Sequence, residues 1–217
     1  MNESPSPGTP GRDCPLCPRL VAFRVAQRAP QPAWHNAPVP SFGELNARLL
    51  IVGLAPGLKG ANRTGRPFTG DYAGVLLYGT LTKFGLAHGE YAERADDGLT
   101  LVDCRITNAV RCVPPANKPE TAEIRSCGQY LAAEIAAMPR LVAILALGQI
   151  AHQAVLAARA HKRARYPFVH GAVHELPGGL ILADSYHCSR YNTNTRQLTQ
   201  PMFEAVFIEL KHRLALS

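Results

Sequence analysis

From Arg48 onward the chain alternates short, wholly apolar runs with longer amphipathic stretches. Leu49-Leu50-Ile51-Val52 is apolar at every position and stops at Gly53, the pattern of a strand covered on both faces. Residues 73–87 then read as a helix, opened by Gly70-Asp71 and closed near Gly89. Residues 101–110 read as a second strand, and residues 119–138 as a helix with Ile124, Cys127, Leu131, Ile135 and Met138 on one stripe. Leu141 to Leu147 is another buried strand, ended by Gly148 and followed by a helix over 149–160. Residues 171–183 form two short strands around Pro177-Gly178-Gly179. The last helix, 199–214, turns Met202, Val206, Leu210 and Leu214 inward and carries Pro201 in its first turn.

Strand and helix in alternation imply a parallel sheet covered on both faces. The fold class is therefore α/β, a three-layer α/β/α sandwich with a central, mainly parallel sheet of about four strands. Such sheets bind ligands beyond the carboxyl ends of their strands, so the loops after Val52, Val110, Leu147 and Ala183 are the ones to inspect. Upstream, residues 19–27 suit a short helix, and the Pro-rich stretch 29–40, with Trp34, suits an irregular crossing segment. Residues 1–12 read as a flexible tail and 13–217 as a single domain, a size that buries roughly 70% of the unfolded surface.

Apolar residues make up 47% and charged ones 18%, which excludes wholesale disorder. The longest apolar run, Leu141 to Leu147, is far short of the ~20 residues of a membrane span. The first residues hold no apolar stretch of the kind a secretory leader needs, so the expectation is a soluble, cytoplasmic monomer with no membrane partner. The net charge is +7, carried by 18 Arg and five Lys. Arg presents a planar fork that fits phosphate, which suits a polyanionic partner, but a GC-rich genome writes the same composition.

Six cysteines in a reducing compartment raise the question of metal or reactive thiol. Cys14-Pro15-Leu16-Cys17-Pro18 is a C-x2-C pair, while Cys112 follows the second strand and Cys127 sits in the next helix, with 14 residues between them. Four thiolates serve zinc or an iron–sulfur cluster, and the spacing leaves both open. Cys112 and Cys127 also fit as small buried hydrophobes. Cys104 and Cys188 do not fit the cage spacing.

The richest segment follows the first strand: Gly53-Leu54-Ala55-Pro56-Gly57, then Asn62-Arg63-Thr64-Gly65-Arg66-Pro67-Phe68-Thr69-Gly70-Asp71. Its glycines let backbone approach a ligand closely, but no Gly-Lys-Ser/Thr follows, so it is not a phosphate-binding P-loop. Asp71 opens a helix and so reads equally as an N-cap; Phe68 reads equally as core. After the last strand, residues 185–195 form a polar loop with His187, and its Arg190 and Tyr191 suit a nucleic-acid groove or a stacked base.

These residues together resemble the uracil-DNA glycosylase superfamily. The Gly53–Gly57 pentad, the run from Asn62 to Asp71, and His187-Cys188-Ser189-Arg190 with Asn192 are similar to its motifs, above all those of its fifth, iron–sulfur family. The resemblance spans the chain from Cys14 to the last helix. It implies a [4Fe–4S] cluster on Cys14, Cys17, Cys112 and Cys127, and hydrolysis of the N-glycosidic bond of uracil, and of other deaminated bases such as hypoxanthine, in DNA. By position it implies Asp71, Asn117 and His187 as catalytic groups. Gly53, Leu54, Ala55, Gly57, Phe68 and Asn108 would bind the base, and Arg63, Arg66, Arg190, Tyr191 and Asn192 would bind DNA.

One departure bears on the chemistry. Many members carry a polar or acidic residue in the pentad where this chain has Leu54 and Ala55, which favours the fifth family over the fourth. The water-activating role then falls to Asp71 or Asn117, and Asn117 also fits as a cap of the helix beginning near Pro119. Two other readings compete: a zinc-dependent nucleic-acid-binding module without catalysis, and a nucleotide-metabolising hydrolase that holds a free phosphate on the Gly-rich loop.

Overall fold

A computed structural model describes residues 9–214. Most of the expected tail, and the side chain of Leu214, lie outside the described residues; within them, Pro10 is already buried. Helix α1 spans Pro18–Arg28, strand β1 Leu49–Gly53, and the short α2 Ala61–Thr64. Helix α3 spans Tyr72–Lys83, and β2 (Ala87–His88) pairs antiparallel with β3 (Thr100–Leu101) as a small separate ribbon. Strand β4 is Cys104–Asn108, α4 Thr121–Ala136, β5 Ala143–Leu147 and α5 Gln149–Ala158. Strands β6 (Val173–Glu175) and β7 (Ile181–Ser185), the short α6 (Arg190–Asn194) and α7 (Gln200–Leu214) complete the order.

The central sheet has five strands in the order β4-β1-β5-β7-β6, one more than the sequence suggests. Strands β4, β1, β5 and β7 are parallel, and β6 joins the edge antiparallel as the other arm of the Pro177-Gly178-Gly179 hairpin. The other edge is partly closed by an antiparallel bridge from Phe42 to Ile106 of β4. Leu49 of β1 pairs with Cys104 of β4 and Ala143 of β5, which sets the register across the middle.

Every residue of β1, β4 and β5 is buried, because the two-residue period of a strand feeds two cores. Leu49, Ile51, Ile106 and Leu145 pack on one face with Leu77, Tyr78 and Leu81 of α3 and Phe203, Phe207 and Leu210 of α7. Leu50, Val52 and Ile144 pack on the other with Leu131 and Ile135 of α4 and Val155 and Leu156 of α5. This is the α/β/α sandwich, and burying an aliphatic side chain in it contributes about 1.5–3 kcal/mol.

Helix boundaries move by a few residues from the sequence reading. The second strand stops at Asn108, short of Val110, although the Ala109 and Val110 N–H groups still donate to the Gly53 and Leu54 carbonyls at 2.9 and 3.0 Å. Helix α4 begins at Thr121 behind Glu120 and not near Asn117; Glu120 and Glu123 form a reciprocal capping box, with Glu120 N–H donating to Glu123 Oε2 at 2.7 Å. The loop 185–195 contains α6, whose first turn is capped by Ser189 accepting from Asn192 N–H at 3.3 Å. Among the described residues, no helix is long and apolar enough to cross a membrane.

Candidate active site

The carboxyl ends of β1, β4 and β7 open onto one cleft of about 640 Å³. Leu54, Ala55 and Gly57 line it from the loop after β1, Asn108 from the end of β4, and His187, Ser189 and Arg190 from the segment after β7. Phe68, Asp71 and Asn117 complete the wall. The sequence loops after Val52, Val110 and Ala183 thus converge.

Glycines make room for the polar groups. A Cβ on Gly53 would collide with Asn108 Oδ1 and the Phe68 ring, and a Cβ on Gly60 would collide with the Asp71 carboxylate. Gly53 therefore lets Asn108 and Phe68 share one corner, and Gly60, which sequence reasoning passed over, admits Asp71.

Phe68 sits at φ 53°, a left-handed backbone that costs a non-glycine residue of order 1 kcal/mol or more. Its carbonyl accepts from Tyr91 O–H at 3.1 Å, and the Pro67 carbonyl accepts from Tyr78 O–H at 2.6 Å. Burial raises the Tyr91 phenol to about 12, so it remains a donor. The Phe68 and His187 rings are stacked with centroids 5.8 Å apart.

Arg66 is not free to touch DNA. It is 5% exposed, and its two terminal nitrogens donate to both Asp97 oxygens at 2.7 Å. Its Nε donates to Thr69 Oγ1 at 2.7 Å, and its guanidinium lies over the rings of Phe42, Tyr78 and Tyr91. The Arg66 hydrogen bonds hold Asp97 far below the usual carboxylate range. Arg66 is the pin that shapes the Phe68 turn, its guanidinium spent on Asp97 and Thr69. Asn192, half-buried, donates from Nδ2 to the His187 carbonyl at 2.8 Å and so braces the histidine segment.

Arg63 is exposed, with Nε donating to the Lys59 carbonyl at 2.7 Å. Arg190 lies 5.2 Å over the Tyr72 ring at the mouth of the cleft, and Tyr191 is 73% exposed beside it.

The titratable groups are tuned by burial. Desolvation lowers His187 from 6.5 to about 4, so the imidazole is neutral at physiological pH. Desolvation raises Asp71 from 3.8, while the backbone N–H groups of Gly74 and Ala73 pull the other way. Asp71 is both the N-cap of α3, accepting from Gly74 N–H at 3.3 Å, and a wall of the cleft, so its two sequence readings hold together. Asn117 lines the cleft from a left-handed turn at φ 56° and caps no helix.

Cys14, Cys17, Cys112 and Cys127 line a second, smaller space between α1, the end of β4 and α4. Cys112 and Cys127 pack with Leu20 and Val110, and Cys17 and Ala55 lie against them. Burial pushes the thiols of Cys17 and Cys112 up and that of Cys127 to about 12, so they become thiolate ligands only around a strongly cationic centre. A single tetrahedral zinc, with bonds of about 2.3 Å, draws its thiolates to about 3.8 Å of one another. Four thiols converging on one point suit either a single zinc or a cluster of several metals.

Arg24 supports the same fit. It is 1% exposed, donates to Cys112 Sγ at 3.0 Å and the Cys14 carbonyl at 3.3 Å, and has an unpartnered Nε. A buried guanidinium with sulfur and carbonyl partners is matched by an anionic thiolate cage. Cys104 lies in the core, and Cys188 is fully buried beyond β7, both outside this group.

Comparison with known proteins agrees with this geometry. The sequence model of the uracil DNA glycosylase superfamily matches residues 40–211. The chain is 47% identical over 208 residues to a type-5 uracil-DNA glycosylase of Thermus thermophilus, covering 93% of this chain and 94% of that one. It is 44% identical to a type-5 uracil-DNA glycosylase of Mycobacterium leprae over 91% of this chain and 90% of the other. A type-4 uracil-DNA glycosylase of Pyrobaculum aerophilum is 34% identical over 62% of this chain and 61% of its own length.

Proposed function

We propose that this chain, which belongs to the uracil DNA glycosylase superfamily, is a DNA-repair hydrolase that cleaves the N-glycosidic bond of uracil in DNA and leaves an abasic site. The observation that carries the reading is the cleft in which a neutral His187, the Asn108 amide, the Phe68 ring and the Asp71 carboxylate converge.

A base inside a duplex is out of reach, so the nucleotide is extruded, at a cost of a few kcal/mol. Stacking on Phe68 recovers about 1–3 kcal/mol of that cost. The Asn108 amide donates to uracil O4 and accepts from N3–H, a pattern that cytosine reverses. As the C–N bond breaks, negative charge grows on the base and positive charge on the sugar. Neutral His187 donates to O2, and the backbone N–H groups of the Gly53–Gly57 turn add to the field around the departing anion. Asp71, helped by Asn117, orients the attacking water and offsets the oxocarbenium charge. The likeness to the fifth family extends the reading to hypoxanthine as a further substrate.

Arg63, Arg190 and Tyr191 meet the DNA at the rim, and the protein acts as a monomer of one domain. Cys14, Cys17, Cys112 and Cys127 hold a [4Fe–4S] cluster, which supplies a cross-link between the N-terminal segment, β4 and α4. The hydrolysis itself runs on side chains of the cleft.

The deciding experiment is incubation with uracil-containing DNA followed by alkali. Strand breaks at every uracil are expected, and intact DNA under excess, iron-loaded protein overturns the proposal.

A further inference from the structure

Away from the cleft and the cysteines, three buried ligand-type side chains from three elements meet behind the β6–β7 hairpin. His152 of α5, His174 of β6 and Asp184 of β7 bring one nitrogen or oxygen each to within 4.8 Å of one another. None of them lines the cleft or the cysteine space. His152 is 1% exposed and Asp184 0%.

The hydrogen bonds leave a gap in the accounting. His152 Nε2 faces the Tyr166 carbonyl at 2.9 Å, so that nitrogen carries a proton. His152 Nδ1 lies 2.7 Å from Asp184 Oδ1, a contact that either a proton or a metal ion bridges. A proton would serve that pair alone. His174 Nε2 and Asp184 Oδ2, 3.4 Å apart, are both buried and both lack a hydrogen-bond partner.

We propose that His152 Nδ1, His174 Nε2 and Asp184 bind a zinc ion. One divalent cation at this point takes up every acceptor left over: Nδ1, Nε2 and the second carboxylate oxygen. The donor set of two imidazoles and a carboxylate suits zinc, and the Tyr166 carbonyl is the outer partner that fixes the tautomer of a metal-ligating histidine. Zinc bonds of about 2.0 Å set tetrahedral ligand atoms about 3.3 Å apart. The His174–Asp184 distance of 3.4 Å already matches, while the His152–Asp184 contact opens by about half an ångström on loading. The ion would clamp the hairpin to α5 three residues before His187.

The test uses iron-loaded protein, so that the cysteines are occupied, titrated with zinc chloride. One zinc per chain beyond the iron is expected. X-ray absorption at the zinc edge should show a nitrogen/oxygen shell near about 2.0 Å without sulfur near about 2.3 Å. His174→Gln, at the least buried of the three, should weaken zinc binding by at least about 100-fold while iron content and glycosylase activity stay at parent levels. No zinc beyond the iron, a sulfur shell, or unchanged affinity in His174→Gln each overturns the proposal. The absorption measurement needs only the unaltered protein, so it decides even if the variant does not fold.

Discussion

Asn108, the last residue of β4, and Cys112 lie four residues apart, and they face regions that hold their polar groups in different ways. In the cleft, polar side chains point into open space on a strained backbone, with Phe68 and Asn117 both at positive φ. In the cysteine corner, a guanidinium and the thiols of Cys112 and Cys127 are packed out of water against Leu20 and Val110, with Cys17 half-buried beside them. The cleft keeps groups available for a reaction. The corner keeps them largely out of water. Ala55 touches both, packed against the corner and exposed to the cleft, so the second region is the rigid backing of the first.

Substitutions that separate the two regions put this contrast at risk. The largest effect is expected from Asp71→Asn. Asn caps a helix as well as Asp does, so α3 keeps its stability while base-hydrolysis slows by about 10²–10⁴-fold, as loss of acid–base help does. Single-turnover cleavage alongside DNA affinity checks this, and unchanged cleavage would reduce Asp71 to its cap.

His187→Gln should follow at about 10²–10³-fold, the usual loss for one anion-stabilising donor. The pH dependence carries the same residue's mark. Burial lowers His187 from 6.5 to about 4, so the rate stays level across neutral pH and falls as the ring gains a proton near 4. A folded-state value below the unfolded one also means that stability drops as pH falls from about 6.5 toward about 4, and this slope should vanish in His187→Gln.

Phe68→Leu removes the stacking surface, worth about 1–3 kcal/mol, and should slow cleavage by about 5- to 150-fold. In the corner, Cys112→Ser should strip the iron and lower the melting temperature, with cleavage falling through Ala55 in proportion to the lost order. Full iron content in that variant would contradict the assignment of Cys112.

The smallest effect on DNA handling separates two arginines of opposite duty. Arg190→Ala should reduce the salt dependence of DNA binding by about one phosphate contact with little change in stability. Arg66→Ala should leave the salt slope alone and cost about 3–5 kcal/mol of stability, because it strands buried Asp97.

Much of this was legible in the chain. Wholly apolar runs such as Leu49 to Val52 announce strands covered on both sides, and glycines after them announce a ligand loop. The fifth strand was half visible, since the Pro177-Gly178-Gly179 turn marks a hairpin but not which arm joins the sheet. For Arg66 and Asn192 a motif gives residue type and position, whereas their partners, Asp97 and the His187 carbonyl, are brought near only by the folded chain. Gly60 left no periodic signal; its meaning is steric and lies in Asp71. His152, His174 and Asp184 come from a helix and two strands with no shared spacing, so no local pattern could gather them.

The sheet's borders carry a consequence for how copies of this protein treat one another. A long open strand edge invites another chain to extend the ladder. Here β6 offers only three residues, and β4 is interrupted by the Phe42 bridge to Ile106. With neither border offering a run to template on, crowding along a DNA strand would bring molecules side by side without knitting their sheets together. Loss of the Phe42 bridge would turn that neutral border into a site of self-association.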